Sequence, residues 1–274
     1  MSITSVKNPR VKHVLSLIAR RSMRNKHKQF FVEGVRAVNG VYENGWQVDE
    51  LIYCPETVQS EWARDIIAST EQRLHLQVDR HIQDKISRRT NPSELMLVVA
   101  QVPDDLSRIP ISDKLLVVLV DRPQSPGNLG SLIRSCDALG ADGLLIAGHA
   151  VDLYSPQTVR ASMGSFFALP AARLSSFDML ETWLNEVRMA LGVVRLVGSS
   201  AHADTVAFDC DLTGPIVLVL GNEMEGMSYR LSQMCDINLQ IPMFGSASSL
   251  NMAAAASILL YEVTRQRLAA RSSP

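Results

Sequence analysis

With 274 residues and 46% hydrophobic composition, the chain is long enough for one large or two ordinary domains with a packed core, which argues against disorder. A formal net charge of −1 excludes a globally basic nucleic-acid binder, although the sum hides local clusters. The four cysteines (Cys54, Cys136, Cys210 and Cys235) form no C-x-x-C pair, which argues against a disulfide framework or a zinc site and favours the reducing cytoplasm. We expect neither secretion nor a membrane span, because no stretch approaches roughly 20 uninterrupted apolar residues.

The first 36 residues carry nine of the 27 basic side chains against a single acid, Glu33. Apolar residues at helical spacing between positions 11 and 18 predict a helix that is followed by a polar loop. Such a basic arm can meet the phosphates of a nucleic acid, although charge runs are usually only a solvated helix face. The candidate RNA contacts are Lys7, Arg10, Lys12, Arg20, Arg21, Arg24, Lys28 and Arg36, and the pair Arg88 and Arg89 extends the same candidate surface.

The remainder of the first half is typical of a small mixed α/β domain. Its predicted strands are 30–32, 51–53 and 95–102, and its predicted helices are 34–44 and 60–70. The stretch that follows Pro103 is rich in proline and aspartate and predicts a connection. The predicted division is a small domain at 1–105, a linker at 106–112 and a second domain at 113–274.

The second half alternates apolar runs with helical patterns. The runs lie at 115–120, 144–147, 193–197, 216–220 and 237–241. Continuous β-branched runs between helices predict a parallel sheet that is covered on both faces. Ligands of such sheets bind outside the carboxyl ends of the strands, so the loops that follow the runs are the place to look for chemistry.

The first of these loops, 121–130, leads into a predicted helix. Apolar residues from Leu129 to Leu139 share one face of this helix, which leaves Arg134 on the open side, able to reach the cleft. The alternative is that Asn128 is an ordinary N-cap and Arg134 a solvated surface residue. The loop lacks G-x-G-x-x-G, which argues against a dehydrogenase.

Two later loops carry further polar residues. In the loop 221–226, Gly221 would allow a ligand to approach the backbone. Glu223 and Glu225 lie just before a predicted helix, and taken alone they favour acids that complement its N-terminus. In the segment 241–251, Ser249 or Asn251 could simply cap the helix that follows. The alanine run of that helix predicts close packing against another element and a buried terminal helix.

Together the three loops resemble the SpoU (TrmH) branch of the SPOUT methyltransferases. The matching motifs, in chain order, are N-x-G-x-x-x-R, L-G-N-E-x-E-G and I-P-M-x-G-x-x-x-S-L-N followed by L-Y-E. The front segment, I-T-S-x-x-N-P-R-x-K through F-x-V-E-G-x-R-A-V, is similar to the substrate-binding domain of these enzymes, which resembles a ribosomal-protein fold. The departures are Asn222 and the pair Met252 and Ala253, none of which is an expected catalytic residue.

The resemblance implies a fold, an activity and a set of roles. It implies a SPOUT-type parallel sheet with a C-terminal deep trefoil knot, a homodimer, and transfer of a methyl group from S-adenosylmethionine to a ribose 2′-hydroxyl, with 23S ribosomal RNA as the favoured substrate. The implied catalytic residues are Asn128, Arg134, Glu223, Ser249 and Asn251, and the implied cofactor-binding residues are Leu220, Gly221, Ile241, Met243, Ser249 and Leu250. The alternatives are transfer RNA as the substrate, or an RNA-binding protein that keeps the fold without the chemistry.

The expected mechanism depends on positioning and electrostatics, because a ribose hydroxyl is a poor nucleophile until it loses its proton or its developing charge is stabilised. We expect Arg134 to contact the 2′-hydroxyl and the adjacent phosphate, with Asn128 and Glu223 orienting that contact. A guanidinium keeps its proton, so phosphate or water is an alternative proton acceptor to Arg134. We expect no metal to be required, because the cofactor carries the reactive methyl group, and the six histidines show no ligand spacing.

Overall fold

The computed structural model describes residues 2–87 and 89–271, so Arg88 lies outside the described residues. These residues form two compact units. The first unit contains the chain up to Val102 and also Asp152–Phe167; the second contains Pro103–Val151 and the chain from Ala168 onward. No helix in the described part of the chain is long and apolar enough to cross a membrane.

The strands and helices alternate along most of the chain. The strands are β1 (Gln29–Glu33), β2 (Val48–Tyr53), β3 (His75–Gln77), β4 (Leu95–Ala100), β5 (Leu116–Asp121), β6 (Gly143–Ala147), β7 (Ala171–Arg173), β8 (Arg195–Ser199), β9 (Thr205–Val206), β10 (Ile216–Leu220) and β11 (Ile237–Gln240). The helices are α1 (Pro9–Ala19), α2 (Arg21–His27), α3 (Val35–Glu43), α4 (Glu61–Ser69), α5 (Arg80–Ser87), α6 (Pro126–Ala138), α7 (Pro156–Ala161), α8 (Ser165–Ala168), α9 (Phe177–Leu191), α10 (Tyr229–Met234) and α11 (Met252–Arg271).

The first unit is built on a four-stranded sheet in the order β1-β4-β2-β3. Strand β4 runs antiparallel to both β1 and β2, and β3 runs parallel to β2. Successive side chains of a strand point to opposite faces. Phe31 therefore joins the core that α1 and α5 cover, whereas its neighbour Phe30 packs against the rings of Tyr154, Phe166 and Phe167.

Residues 152–167 belong to the first unit because their side chains are buried there. The indole nitrogen of Trp46 donates a hydrogen bond to the carbonyl oxygen of Phe167 at 3.0 Å. The guanidinium of Arg24 forms a buried ion pair with Asp152, with 2.6 Å between Nη2 and Oδ2. The predicted division of the chain did not assign this segment, the excursion 152–167, to the first unit. It also predicted a linker at 106–112, but Leu106 and Ile109 are buried in the core of the second unit.

The second unit is an α/β fold with a seven-stranded sheet in the order β7-β6-β5-β10-β8-β11-β9. All its strand pairs are parallel, as the apolar runs predicted. Helix α9 packs its apolar stripe, which includes Trp183, against the sheet. Strands β7 and β9 are only three and two residues long, and their sequences carry no apolar run that would have predicted them.

The strand order determines where a ligand can bind. From β5 the chain first adds β6 and β7 on one side and later adds β10, β8, β11 and β9 on the other. A parallel sheet opens a crevice at the carboxyl ends of its strands where the strand order reverses, which here is beside β5. The loops that follow β5, β10 and β11 all begin at this edge.

Candidate functional site

The loop after β5 is anchored by buried Asp121. Its Oδ2 accepts a hydrogen bond from the backbone N–H of Ser228 at 2.7 Å, and its carboxylate pairs with Arg122. Arg122 has a positive φ of 48° and also forms an ion pair with Glu225. The burial of Asp121 and these contacts tie the loop after β5 to the loop after β10.

Helix α6 begins after this loop with Ser125 as its N-cap. The hydroxyl of Ser125 accepts a hydrogen bond from the N–H of Asn128 at 3.3 Å. Asn128 is therefore inside the first turn, and its interpretation as the N-cap is wrong. Its side chain is consequently available for contacts across the carboxyl edge of the sheet.

The loop after β10 is organised by Asn222, which is buried. Its Nδ2 donates to the carbonyl oxygen of Arg122 at 2.7 Å, and its Oδ1 accepts from the N–H groups of Met224 at 2.8 Å and Glu225 at 3.1 Å. No role for Asn222 was predicted from the sequence. The signal that could have identified it is that asparagine side chains often bond to the backbone a few residues later.

Gly221 is required by a close approach of the chain to itself. A Cβ at this position would lie 2.4 Å from the backbone nitrogen of Met227 and 2.5 Å from the carbonyl carbon of Gly226. The sequence-based expectation was that a ligand approaches here. In the structure the neighbouring backbone already fills that side of Gly221, so only its remaining groups can face a ligand.

Glu223 projects from this loop toward α6. Its Oε1 accepts a hydrogen bond from Nδ2 of Asn128 at 3.2 Å, and its Oε2 accepts from the N–H of Gln124 at 3.3 Å. The alternative interpretation, in which Glu223 complements the N-terminus of the helix that follows it, is wrong, because α10 begins only after Ser228 and has no acid in its first turn.

Asn251 connects the third segment to the same point. Its Oδ1 caps α11 by accepting from the N–H groups of Ala253 at 2.9 Å and Ala254 at 3.3 Å. Its Nδ2 donates to Oδ1 of Asn128 at 3.0 Å. Asn128 thus bonds at once to Glu223 and Asn251, and one line of hydrogen bonds joins the three motif loops.

Two other predicted catalytic residues, Arg134 and Ser249, stand outside this line. Arg134 is exposed on α6, and Ser249 is exposed in the third segment. Neither side chain forms a hydrogen bond or ion pair with any residue in the ranges 2–87 and 89–271. Their polar groups are accordingly available to a ligand or a substrate.

The predicted cofactor-binding residues lie on the same edge. Leu220 ends β10 and is buried, Ile241 and Met243 are half-buried, and Leu250 is exposed. Between residues 241 and 250 the main-chain groups bond to no other described residue. A run of open N–H and C=O groups beside a sheet edge suits a ligand with many ring and hydroxyl polar atoms, so the donor set fits the adenosine part of S-adenosylmethionine.

The terminal helix α11 is buried along one face only. Its buried residues include Ala253 and Ala256, and the hydroxyl of Ser257 meets that of Ser135 on α6 at 2.8 Å. The other face exposes Tyr261 and further apolar side chains. The alanine run therefore packs closely as predicted, but the helix is not buried as a whole.

The basic arm needs one correction. Arg24 was predicted to contact RNA, but its guanidinium is buried, pairs with Asp152 and donates to the carbonyl oxygens of Leu17 and Ile18. A buried, paired cation cannot reach a phosphate. Arg10 is half-buried and pairs with Glu50 at 2.8 Å. The exposed members of the predicted set are Lys7, Lys12, Arg20, Arg21, Lys28 and Arg36.

Histidine, cysteine, aspartate and glutamate side chains form no group of three or more that could hold a metal ion within the described ranges. All four cysteines are free. Burial raises the pKa of the Cys136 and Cys235 thiols, with that of Cys235 reaching about 11. Neither thiol is poised as a nucleophile at neutral pH.

Two family models match the chain. The model described as the SpoU rRNA Methylase family matches residues 115–261, and the model described as an MRM3-like substrate binding domain matches residues 8–97. The two matched segments correspond to the predicted order of a substrate-binding domain followed by a methyltransferase domain.

Curated proteins and solved structures resemble the chain over nearly its full length. The 23S rRNA (uridine(2479)-2′-O)-methyltransferase of Streptomyces viridochromogenes is 42% identical over 99% of this chain and 94% of the relative. The 23S rRNA (guanosine(2553)-2′-O)-methyltransferase RlmP of Bacillus subtilis is 28% identical over 95% of this chain and 98% of the relative. The crystal structure of the SpoU methyltransferase AviRb from Streptomyces viridochromogenes with its cofactor AdoMet has a TM-score of 0.89 and 42% identity, covering 96% of this chain and 100% of that one.

Proposed function

Because the chain belongs to the SpoU rRNA methylase family, we propose that it transfers the methyl group of S-adenosylmethionine to a ribose 2′-hydroxyl of 23S ribosomal RNA. The observation that carries the proposal is the line of hydrogen bonds from Glu223 through Asn128 to Asn251, which joins all three motif loops at one edge of the sheet. The two 23S rRNA relatives modify different nucleotides, so the target nucleotide of this chain is a matter for experiment.

S-adenosylmethionine, when bound, supplies an activated methyl group on a sulfonium. The main chain of Leu220, Gly221, Ile241 and Leu250 would hold its adenosine part, and the half-buried side chain of Met243 would pack beside it. We also propose that the chain from β10 to α11 threads through a loop to make a deep trefoil knot, a rare exception to unknotted topology.

Arg134 is proposed as the catalytic residue that meets the RNA. Its guanidinium has five N–H donors and no partner among the described residues, so it can contact a 2′-oxygen and a neighbouring phosphate together. This positive charge would stabilise the oxyanion that develops as the hydroxyl attacks the methyl carbon. A charged guanidinium keeps its proton and has no acceptor, so the hydroxyl proton leaves to a phosphate oxygen or to water.

The remaining predicted residues divide into two roles. Both polar atoms of the Asn128 side chain are used by Glu223 and Asn251, so we assign these three as positioning residues that hold the loops together. The Ser249 hydroxyl has no partner among the described residues, so it can donate to or accept from the substrate. This division keeps the expectation that Asn128, Glu223 and Asn251 hold the geometry around Arg134, and it moves Ser249 from that group to the substrate side.

The test compares Arg134→Ala with Arg188→Ala, because Arg188 is another exposed arginine on a helix of the second unit. Arg134→Ala should keep the cofactor affinity that calorimetry measures and lose methylation of 23S rRNA by at least 100-fold, while Arg188→Ala keeps both. Near-normal turnover of Arg134→Ala would remove Arg134 from this role. A wild-type chain that takes up no S-adenosylmethionine would instead favour the non-catalytic RNA-binding protein, and methylation of transfer RNA alone would favour that substrate.

We also propose that the protein is a homodimer through α11. Its exposed face carries Ile258, Tyr261 and Leu268 at helical spacing, and contiguous exposed apolar residues commonly mark an interface. Tyr261→Glu should convert the dimer to a monomer in light scattering with size-exclusion chromatography. A wild-type mass equal to one chain would contradict the proposal.

A further inference from the structure

The first unit contains a cavity of about 360 Å³ that the proposed reaction does not use. Its lining comes from α1, α2, β1, the end of α5 and helix α7 of the segment 152–167. The apolar part of the lining includes Phe31, Ile86 and Val159, all buried. A volume at the lower end of the usual 300–1,000 Å³ range of ligand sites suits one small flat group against this apolar surface.

One side of the cavity carries a hydrogen-bond acceptor, the carboxylate of Glu33. Its Oε1 accepts from the hydroxyl of Ser87 and from the N–H of Ser93 at 3.3 Å, whereas its Oε2 bonds to no residue among those described. Burial is the main influence on this carboxyl and raises its pKa, against the opposing effect of its hydrogen bonds and of nearby Arg89 and Arg160. An oriented carboxylate with one open oxygen is an acceptor for an N–H donor.

The mouth of the cavity carries two exposed guanidinium groups. Arg89 donates from Nη1 to the hydroxyl of Ser93 at 3.2 Å, which leaves most of its donors open. The guanidinium of Arg160 forms no hydrogen bond or ion pair with the described residues. The third arginine of the lining, Arg24, is neutralised by Asp152. Two arginines against one carboxylate leave the site positive, as an anionic ligand requires.

We propose that this cavity binds one unpaired nucleotide of the substrate RNA, with its base against Phe31 and Ile86, a base N–H on Glu33, and its phosphate on Arg89 and Arg160. The inference rests on the proposed function for its choice of RNA as the ligand. An apolar floor with a polar edge group is how proteins read single-stranded RNA, because a base can enter a cavity only after it has left its stack. A duplex therefore cannot use this site.

The test measures binding by fluorescence anisotropy, with the full chain and no cofactor, to a labelled single-stranded oligoribonucleotide of mixed sequence and to the duplex of the same sequence. Arg160→Ala and Arg89→Ala should weaken single-strand binding about ten-fold and reduce the slope of log affinity against log salt by about 0.7 each. Glu33→Gln presents an amide in place of the open carboxylate oxygen, and it should weaken the same binding without changing the slope. Duplex binding should change less than about two-fold in all three variants.

The matched control is Arg73→Ala, since Arg73 is an exposed arginine of the same unit that pairs with Glu71 and does not line the cavity. It should leave both affinities unchanged. Thermal unfolding of each variant checks that a loss of binding is not a loss of folding. Single-strand affinities equal to wild type, or an equal loss for single strand and duplex, would overturn the proposal, the second result indicating only a general phosphate-binding patch.

Failure of this inference is distinguishable from failure of the proposed function, because the binding assay involves no methyl transfer. If the wild-type chain methylates 23S rRNA and the Arg160→Ala variant matches its KM and kcat, the cavity proposal is overturned alone. If the wild-type chain does not methylate RNA but Arg160→Ala selectively loses the single strand, the cavity proposal stands. An increased KM for RNA at unchanged kcat in Arg160→Ala supports both.

Discussion

Asn222→Ala should detach the loop after β10 from the rest of the site. The substitution removes three hydrogen bonds, to the carbonyl oxygen of Arg122 and from the N–H groups of Met224 and Glu225. At about 1 kcal/mol each the loss is about 3 kcal/mol, but the last two residues are exposed and water can replace part of it. We therefore expect a loss of about 1–3 kcal/mol in the free energy that holds this loop in place.

The weaker attachment of the loop should lower the affinity for the cofactor, because the loop positions Glu223 for its contact with Asn128. If binding must restore the loop, then about 1–3 kcal/mol corresponds to a decrease of roughly 5- to 150-fold in affinity for S-adenosylmethionine. Calorimetric titration measures the affinity and urea denaturation measures stability. Met224→Ala is the control, because that side chain is 91% exposed in the same loop. An Asn222→Ala variant with unchanged stability and unchanged affinity would refute the assignment of Asn222 as the organiser of the loop.

Three further predictions concern the rest of the molecule. Arg24→Ala should lower the free energy of unfolding by about 3–5 kcal/mol in urea denaturation, because the buried carboxylate of Asp152 loses its partner. The control Arg20→Ala should change that free energy by less than about 0.5 kcal/mol. Equal effects of the two substitutions would contradict the burial of Arg24. Because the pKa of Cys235 is about 11, its alkylation at pH 8 should be about 100-fold slower than that of a cysteine with the ordinary pKa of 9.0. The rate should rise about ten-fold per pH unit as the thiolate forms. A rate like that of free cysteine would be inconsistent with the burial of Cys235. Gly40→Ala should destabilise the fold by about 1–3 kcal/mol, because its Cβ would lie 2.8 Å from a ring carbon of the segment 152–167. Gly214→Ala should not, because a Cβ there has nothing within 4 Å. Thermal denaturation compares the two variants, and equal midpoints would mean that the segment shifts to accommodate the Cβ at little cost.

Local hydrophobic pattern was enough to predict most strands of the seven-stranded sheet. The run 216–220 coincides with β10, and the other apolar runs lie within one or two residues of β5, β6, β8 and β11. Strands β5, β6 and β10 are buried on both faces, so almost every residue in them is apolar and the pattern is strong. Strands β7 and β9 were missed because two or three residues are too few to show a period.

The positions of the excursion 152–167 and of Arg24 could not be predicted from local pattern. The sequence shows Arg24 among eight other bases, and only its partner Asp152, 128 positions later, distinguishes it from a solvated charge. Aromatic residues within the excursion are ordinary core residues in any unit. Which sheet they cover depends on the path of the chain, and periodicity does not contain that information.

Hydrophobic periodicity and motif spacing are properties of short stretches, so they were enough to predict the fold class, the order of the two matched segments and the three motif loops. Which polar side chains work together depends on the folded chain. Asn128 bonds to Glu223, 95 positions away, and to Asn251, 123 positions away. The side chain of Arg134 has no such partner among the described residues. A hydrogen bond depends on distances of about 3 Å, which only the complete folding of the second unit establishes.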